Sequence, residues 1–292
     1  MITGLKLRAS YGQTGNQAVP AYATIAQIAT GGPAYYFDGS TPSVSTPLST
    51  PVTQTLQWEK NTTYDAGLDM EFFNGRITFT ADAYNKQITD LLYNTPVRDF
   101  SGGGNYQKNI GSLENKGLEF SVGGTPIVTN KFKWTSNFNI SFNRNKVLDL
   151  GGIDNVIVNN IGSAQTGAAI LKVGEPLGSF HGYRYLGTWK SKDATEAAKY
   201  GAKPGDARFE DVDGDFAYTS ADLQIIGNGT PKYGFGFINA FSYGNWRLNV
   251  MFQGTHGNQI YSFTTPYTLG GLGDARHATS TDILTMWTPE HE

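Results

Sequence analysis

Side-chain character alternates with a period of two through seven stretches of this sequence. That period belongs to an extended chain, whose successive side chains point to opposite faces. In the first stretch Leu5, Leu7, Ala9 and Tyr11 alternate with Lys6, Arg8, Ser10 and Gly12. In the second, Tyr64, Ala66, Leu68, Met70 and Phe72 alternate with an acidic face containing Asp65, Asp69 and Glu71. Ile77, Phe79, Ala81 and Ala83 then oppose Thr78, Thr80, Asp82 and Tyr84, and Leu118, Phe120 and Val122 oppose Glu119, Ser121 and Gly123. Phe132, Trp134, Phe138, Ile140 and Phe142 share a face on which Ser136 is the one lapse. Phe235, Phe237, Phe241 and Tyr243 form the sixth apolar face, and Trp246, Leu248, Val250 and Phe252 the seventh. Only Asp193–Tyr200 reads as a short amphipathic helix.

The connections alternate as well. About 40 residues rich in Thr, Ser, Pro and Gly (15–57) join the first two stretches, whereas the hairpin pair Asn74-Gly75 joins the second to the third. A glycine-rich segment, Ser101 to Gly104, then a short turn near Thr129-Asn130, then about 80 residues, then Gly244-Asn245 complete the series. Loops segregated by length to two rims are the pattern of an outer-membrane barrel. A soluble sandwich or propeller also alternates apolar and polar positions. Three features favour the barrel: stretches longer than the usual five or six residues of a globular strand, aromatics near strand ends (Tyr64, Trp134, Tyr243, Trp246), and the sorting of loops by rim.

Composition narrows the function classes. There is no cysteine, which excludes disulfide scaffolds, thiol enzymes and Cys-ligated metal centres. A net charge of −3 without a basic run argues against nucleic acid as a partner. No stretch reaches the roughly 18 apolar residues of a spanning helix, a test to which barrel strands are blind. The expectation is an all-β fold: an antiparallel transmembrane β-barrel in part, with about seven strands and long extracellular loops. An odd strand count does not close an antiparallel barrel. The whole span 1–292 is therefore expected to be the C-terminal part of a larger one, with residues 148–230 a long extracellular insertion.

Several phrases resemble the SusC/RagA-like TonB-linked outer-membrane proteins (TonB-dependent receptors) of Bacteroidota. They include Leu7-Arg8-Ala9-Ser10-Tyr11-Gly12-Gln13-Thr14-Gly15-Asn16, Trp58-Glu59 with Gly67-Leu68-Asp69, and Asp82-Ala83-Tyr84-Asn85-Lys86 with Asp90-Leu91-Leu92. Asn109-Ile110-Gly111 with Asn115-Lys116-Gly117-Leu118-Glu119, Ile226-Gly227-Asn228, and Phe252-Gln253-Gly254 with Gly257-Asn258 follow in the same order. The resemblance spans nearly the whole chain. It implies a plugged barrel of about 22 strands in the bacterial cell outer membrane. It also implies energy from TonB through a region absent here, and a SusD-like surface lipoprotein that helps capture oligosaccharides or peptides.

The sharpest local constellation is Asp211-Val212-Asp213-Gly214-Asp215, with Asp222 closing a twelve-residue frame. Oxygen ligands at positions 1, 3, 5 and 12, with the backbone carbonyl of Ala217 at position 7, suit Ca²⁺ in an EF-hand-type loop. At position 6, where such a loop wants glycine, stands Phe216, which also departs from the resembled family's pattern. Two readings stay open, a calcium site and a solvated acidic turn. Asp65, Asp69 and Glu71 share a face and invite an acid–base reading, for which a polar lumen wall is the simpler account. His181, His256, His277 and His291 lack metalloprotease spacing, and no nucleophile elbow or P-loop occurs, so no enzyme is expected. Asn61-Thr62-Thr63 matches a glycosylation sequon but reads as strand, and Gly102–Gly104 lacks the following helix of an anion cradle. Loop aromatics such as Tyr35, Tyr36, Phe37, Tyr183, Tyr185 and Trp189 suit sugar stacking or loop packing equally. The expected function is nutrient uptake across the outer membrane. Its rivals are a soluble, calcium-dependent glycan-binding or adhesion module and, more distantly, a β-rich glycoside hydrolase.

Overall fold

The computed structural model describes residues 2–17, 19, 21–25, 34–36, 39, 42–44, 53, 55–96, 105–158, 168–262, 265–269 and 280–291. All seven alternating stretches become strands of one antiparallel sheet: Ile2–Asn16, Glu59–Phe72, Ile77–Thr89, Ser112–Val128, Phe132–Asp149, Tyr233–Tyr243 and Trp246–His256. They pair in sequence order, first to seventh, as an up-and-down meander. The fold is that of a partial β-barrel.

Register follows from the pattern, because a slip of one residue would turn every apolar side chain to the wrong face. Ala9 lies opposite Ala66, Ala66 opposite Ala83, Ala83 opposite Leu118 and Leu118 opposite Phe142, an unbroken apolar row across five strands. Tight turns set this register at one rim. Phe73, Asn74 and Gly75 sit at φ of 55°, 56° and 79°, the left-handed conformation that Asn and Gly accept most readily. At the next turn the Thr129 hydroxyl accepts the Phe132 N–H at 3.0 Å. The strands also outrun the alternation that reveals them. The fourth begins at Ser112, six residues before its first apolar outward position, Leu118. Its polar start is held by a ladder in which Glu114 faces Gln87 and Lys146, and Lys116 faces Asn85 and Arg144.

The chain divides into two compact units, Met1–Asp154 with Tyr233–Thr255, and Asn155–Lys232 with His256–Glu292. The second unit has its own four-stranded sheet, in the order Asn155–Val158, Ala169–Lys172, Ser179–Gly182, Gln224–Asn228. A two-stranded ribbon pairs Tyr185–Thr188 with Ala207–Phe209. The expected short helix is a single α-turn, Ala194–Ala197, between 3-10 turns Ser191–Asp193 and Ala198–Tyr200. Its core is aromatic: Trp189, 2% exposed, lies 5.4 Å from the Tyr200 ring and under the Arg208 guanidinium at 4.5 Å.

Candidate functional site

On the polar face of the large sheet, Arg8 is opposite Gly67, Gly67 opposite Asp82, and Asp82 opposite Glu119. Gly67 has no side chain to fill its place, so the Arg8 guanidinium occupies it and reaches two strands across. Nε donates to Asp69 Oδ2 at 2.8 Å, and one terminal nitrogen donates both to Asp69 Oδ1 at 3.1 Å and to Asp82 Oδ1 at 2.8 Å. A Cβ at Gly67 would lie 2.7 Å from the guanidinium carbon and would overlap the Asp82 carboxylate. Gly117 serves Tyr84 in the same way, a Cβ there meeting the phenol at 2.6 Å. The bidentate, charge-assisted arrangement offsets the repulsion between Asp82 and Glu119. It also accounts for the acidic stripe: Asp69 is engaged by Arg8, while Asp65 sits across from Ser10 and Tyr84, and Glu71 across from Gly4 and Thr78.

The other face has the opposite character. Leu5, Leu7, Leu248 and Phe252 are 63%, 77%, 59% and 58% exposed. Aromatic pairs mark the two edges of this apolar band. Tyr11 and Tyr64 meet at 5.1 Å, and Phe142 and Tyr233 at 5.8 Å, toward the long-loop rim. Trp134 stacks on Phe241 at 6.0 Å toward the short-turn rim, with Tyr243 and Trp246 exposed beside it. From Phe132 to Phe142 is ten residues, which at roughly 3.3 Å each and a tilt of about 40° spans about 25 Å. The Ser136 lapse has a partner that alternation alone does not reveal. Asn239 lies opposite Ser136 on the same face, nearly buried, and accepts the Trp134 indole N–H at 3.0 Å. Aligning the sixth stretch against the fifth would have shown that the two polar residues coincide.

The acidic turn brings together three of the five residues expected to bind metal. Carboxylate oxygens of Asp211, Asp213 and Asp215 lie within 4.8 Å of one another. Asp211 accepts the N–H groups of Gly214 (2.7 Å) and Phe216 (3.1 Å) and the Tyr200 hydroxyl (3.1 Å). Asp213 accepts from the Asp215 N–H at 3.3 Å, and Asp215 from the Ala217 N–H at 2.8 Å. Asp222 stands apart from that cluster and is fully buried. Its two oxygens accept the Val212 N–H at 2.7 Å and the Thr219 N–H at 2.8 Å, the second as part of a capping box with Thr219. Phe216 adopts φ +62°, the left-handed conformation the frame needs at position 6, with its ring 5.6 Å from Tyr200 and 5.3 Å from Lys199 Nζ.

These contacts split the carboxyl groups. Desolvation is the largest influence on Asp211 and acts upward, but the N–H groups of Gly214 and Phe216 and the Tyr200 hydroxyl hold its pKa below the usual carboxylate value. Asp213 moves upward, through desolvation first and then the like charges of Asp215, Asp222 and Asp211. Desolvation, then the bond to Asp211, raises the Tyr200 phenol.

Among the other singled-out residues, Trp189 is buried, and Tyr183 and Tyr185 pack on Phe209 at 5.4 and 6.0 Å. Tyr35 and Tyr36 belong to a short strand, Ala34–Tyr36. Phe37, Gly102–Gly104 and His277 lie outside the described residues. Asn61 is a ladder position between Thr14 and Ile88. His181, His256 and His291 fall in separate elements, and among the described residues none joins a metal-ligating cluster.

A sheet with an exposed apolar band on one face and ion pairs on the other matches a known family. The profile described as TonB dependent receptor-like, beta-barrel, covers residues 2–273. The chain belongs to the TonB-dependent receptor family. It is 34% identical to TonB-dependent receptor P3 of Formosa agariphila over 99% of its own length and 29% of that protein. It is 31% identical to TonB-dependent receptor SusC of Bacteroides thetaiotaomicron over 89% of its length and 26% of that protein. In fold it is similar to a chain of the RagAB peptide importer in the closed-closed state, with TM-score 0.80 at 24% identity, over 99% of this chain and 31% of that one. The chain thus spans less than a third of the relatives it matches. The first two of these relatives are named as receptors, and the RagAB chain is that of a peptide importer.

Proposed function

We propose that this chain is the C-terminal barrel region of an outer-membrane nutrient importer. Its cargo would be oligosaccharides or peptides, taken up with energy from TonB and with a SusD-like surface lipoprotein. The observation that carries this reading is the sheet's two-sidedness: an exposed apolar band edged by aromatics would face lipid, and the Arg8–Asp69–Asp82 face would line a plugged lumen. The names of the relatives support it, SusC as a TonB-dependent receptor and RagAB as a peptide importer. Residues 148–230 would form the extracellular insertion. The deciding experiment is electrophoresis of the membrane-extracted protein with and without boiling, paired with uptake of labelled oligosaccharides and peptides. Heat-modifiable migration with cargo-dependent uptake is expected. A folded, detergent-free monomer would instead favour a soluble glycan-binding module.

Within that insertion we assign calcium to the acidic turn, with Asp211, Asp213 and Asp215 as carboxylate ligands and the Ala217 carbonyl as a fourth. Asp222 anchors the turn through its two backbone partners. Calorimetric titration with Ca²⁺ tests this: saturable binding lost in Asp213→Asn and Asp215→Asn supports the site. Absence of binding leaves a solvated acidic turn.

A further inference from the structure

Two Asn-Gly dipeptides occur in the sequence, Asn74-Gly75 and Asn228-Gly229, and the fold places them in opposite circumstances. The pair is chemically distinctive because glycine, having no Cβ, leaves its backbone nitrogen open to the preceding side-chain amide. Asn74 is exposed, in the turn between the second and third strands of the large sheet. Its backbone N–H donates to the Thr3 hydroxyl at 3.2 Å, but among the described residues nothing holds its side-chain amide or the Gly75 N–H. The turn is also strained. Phe73, a bulky residue, sits at φ 55° in the same left-handed region as its two neighbours, which tolerate it far better. The bond that closes the turn, from the Arg76 N–H to the Phe73 carbonyl, is long at 3.4 Å.

Asn228 is half-buried at the end of the strand Gln224–Asn228. Its Nδ2 donates to the Leu177 carbonyl at 3.0 Å and to the Ser179 hydroxyl at 3.3 Å, and its Oδ1 accepts the Thr230 N–H at 2.6 Å. The Gly229 N–H donates to the Gly178 carbonyl at 3.4 Å. The Asn228 backbone N–H donates to Gln259 Oε1 at 3.0 Å, and its carbonyl accepts the Gln259 N–H at 2.9 Å. The amide, the neighbouring nitrogen and the backbone between them are all held.

We infer that Asn74 is a site of spontaneous deamidation and isoaspartate formation, from which Asn228 is protected by its hydrogen bonds. The Gly75 nitrogen gives up its proton to solvent base and attacks Asn74 Cγ, closing a succinimide ring. The Cγ–Nδ2 bond breaks, and the amide leaves as ammonia with a proton from water. Water then opens the ring at Cγ, giving an aspartate, or at the backbone carbonyl, giving an isoaspartate whose chain runs through Cβ and Cγ. One water is consumed and one ammonia released, without oxidation or reduction. Ring closure needs the turn to open, and an exposed turn with one long closing bond opens more readily than a strand end tied on every side. Glu71 Oε2 lies 4.0 Å from where a Gly75 Cβ would stand, so the new carboxylate arises at a turn that already carries one. The isoaspartyl form also adds a methylene to a backbone whose tight turn sets the register of the hairpin.

The inference does not depend on the transport reading. Its test ages the membrane-extracted protein in mildly alkaline buffer, folded or in denaturant. Peptides containing residue 74 or 228 are then followed by mass spectrometry, with fragmentation that separates aspartate from isoaspartate. In the folded protein Asn74 should react roughly tenfold or more faster than Asn228, and in denaturant the two rates should converge. Methyl transfer from labelled S-adenosylmethionine by an isoaspartate methyltransferase should label aged folded wild type. Gly75→Ala should lose that label, because a Cβ shields the attacking nitrogen. Equal rates in the folded protein, or a faster Asn228, overturn the inference. So does an Asn74 that stays intact in the folded protein while it reacts in denaturant, since the turn would then be as well protected as the strand end. The comparison of the two peptides within wild type stands whether or not Gly75→Ala folds.

Discussion

The two compact units of this chain treat apolar side chains in opposite ways. Of the five buried apolar residues among those described, four (Ala168, Ile170, Trp189 and Ala197) belong to the loop-derived unit, and the seven-stranded unit holds only Val147. The larger unit instead exposes Leu5, Leu7, Leu248 and Phe252, and keeps Arg8, Asp69 and Asp82 half-buried on its other face. A water-soluble domain rarely tolerates a contiguous apolar surface of that kind. The difference teaches that one polypeptide was shaped for two solvents. The smaller unit is organised around an aromatic core as any domain in water is, and the sheet is arranged for a surrounding at least as apolar as its own outer face.

The contrast is broken most severely at Trp189. Its ring fills the centre of the smaller unit against Tyr200 and Arg208. Trp189→Ala should cost about 3–5 kcal/mol of that unit's stability. Limited proteolysis should then cut within 185–228, while heat-modifiable migration of the barrel persists. Loss of both together would show that the two units fold as one.

The sheet is tested next by moving charge across it. Phe138 sits mid-band on the apolar face, between Val122 and Phe237, and Asn139 sits one residue along on the polar face, between Ser121 and Gly236. Phe138→Arg should cost about 2–4 kcal/mol in a bilayer, whereas Asn139→Arg should change refolding into liposomes little. Equal effects would reverse or abolish the assigned orientation. A smaller loss is expected in the acidic turn, where Asp222→Ala removes two backbone partners and the capping box. About 1–2 kcal/mol should be read out as faster proteolysis near Val212.

The sheet was legible in the sequence because its information is periodic: each of the seven alternating stretches is a strand, and the Asn74-Gly75 and Gly244-Asn245 turns lie where the hairpin signal put them. Strand ends were not, since from Ser112 to Lys116 the outward positions Ser112, Glu114 and Lys116 are polar and the strand is held by cross-strand pairing that no single stretch encodes. The same reason hid Arg8, whose partners lie 61 and 74 residues away and are reached only because Gly67 leaves the space. The smaller unit was legible in its motifs but not its architecture. Its strands are only three to five residues long, too short for a period of two to stand out. In the acidic frame, residue type placed Asp211, Asp213 and Asp215 together. It did not foresee that both oxygens of Asp222 would accept backbone N–H groups.

The smallest effect separates the two readings of that turn. Asp213 has its pKa raised by desolvation and by three neighbouring carboxylates, so without metal its charge opposes the folded turn. The folded state then holds the proton more tightly than the unfolded chain, and stability from this group falls as pH rises through the carboxylate range. Asp211, with its pKa lowered in the turn, has the opposite sign: its contribution is present above the unfolded carboxylate pKa and is lost on acidification. Asp213→Asn should therefore slow proteolysis of the turn in chelator at pH 7 and have no effect near pH 3, where Asp213 is already neutral. Added Ca²⁺ reverses the sign in the calcium reading, because the ion turns the repulsion of Asp211, Asp213 and Asp215 into shared ligation, and the variant then becomes the less protected protein. If calcium leaves the order of the two proteins unchanged at pH 7, the turn is a solvated acidic loop whose like charges are tolerated because Asp222 and Tyr200 tie it from behind.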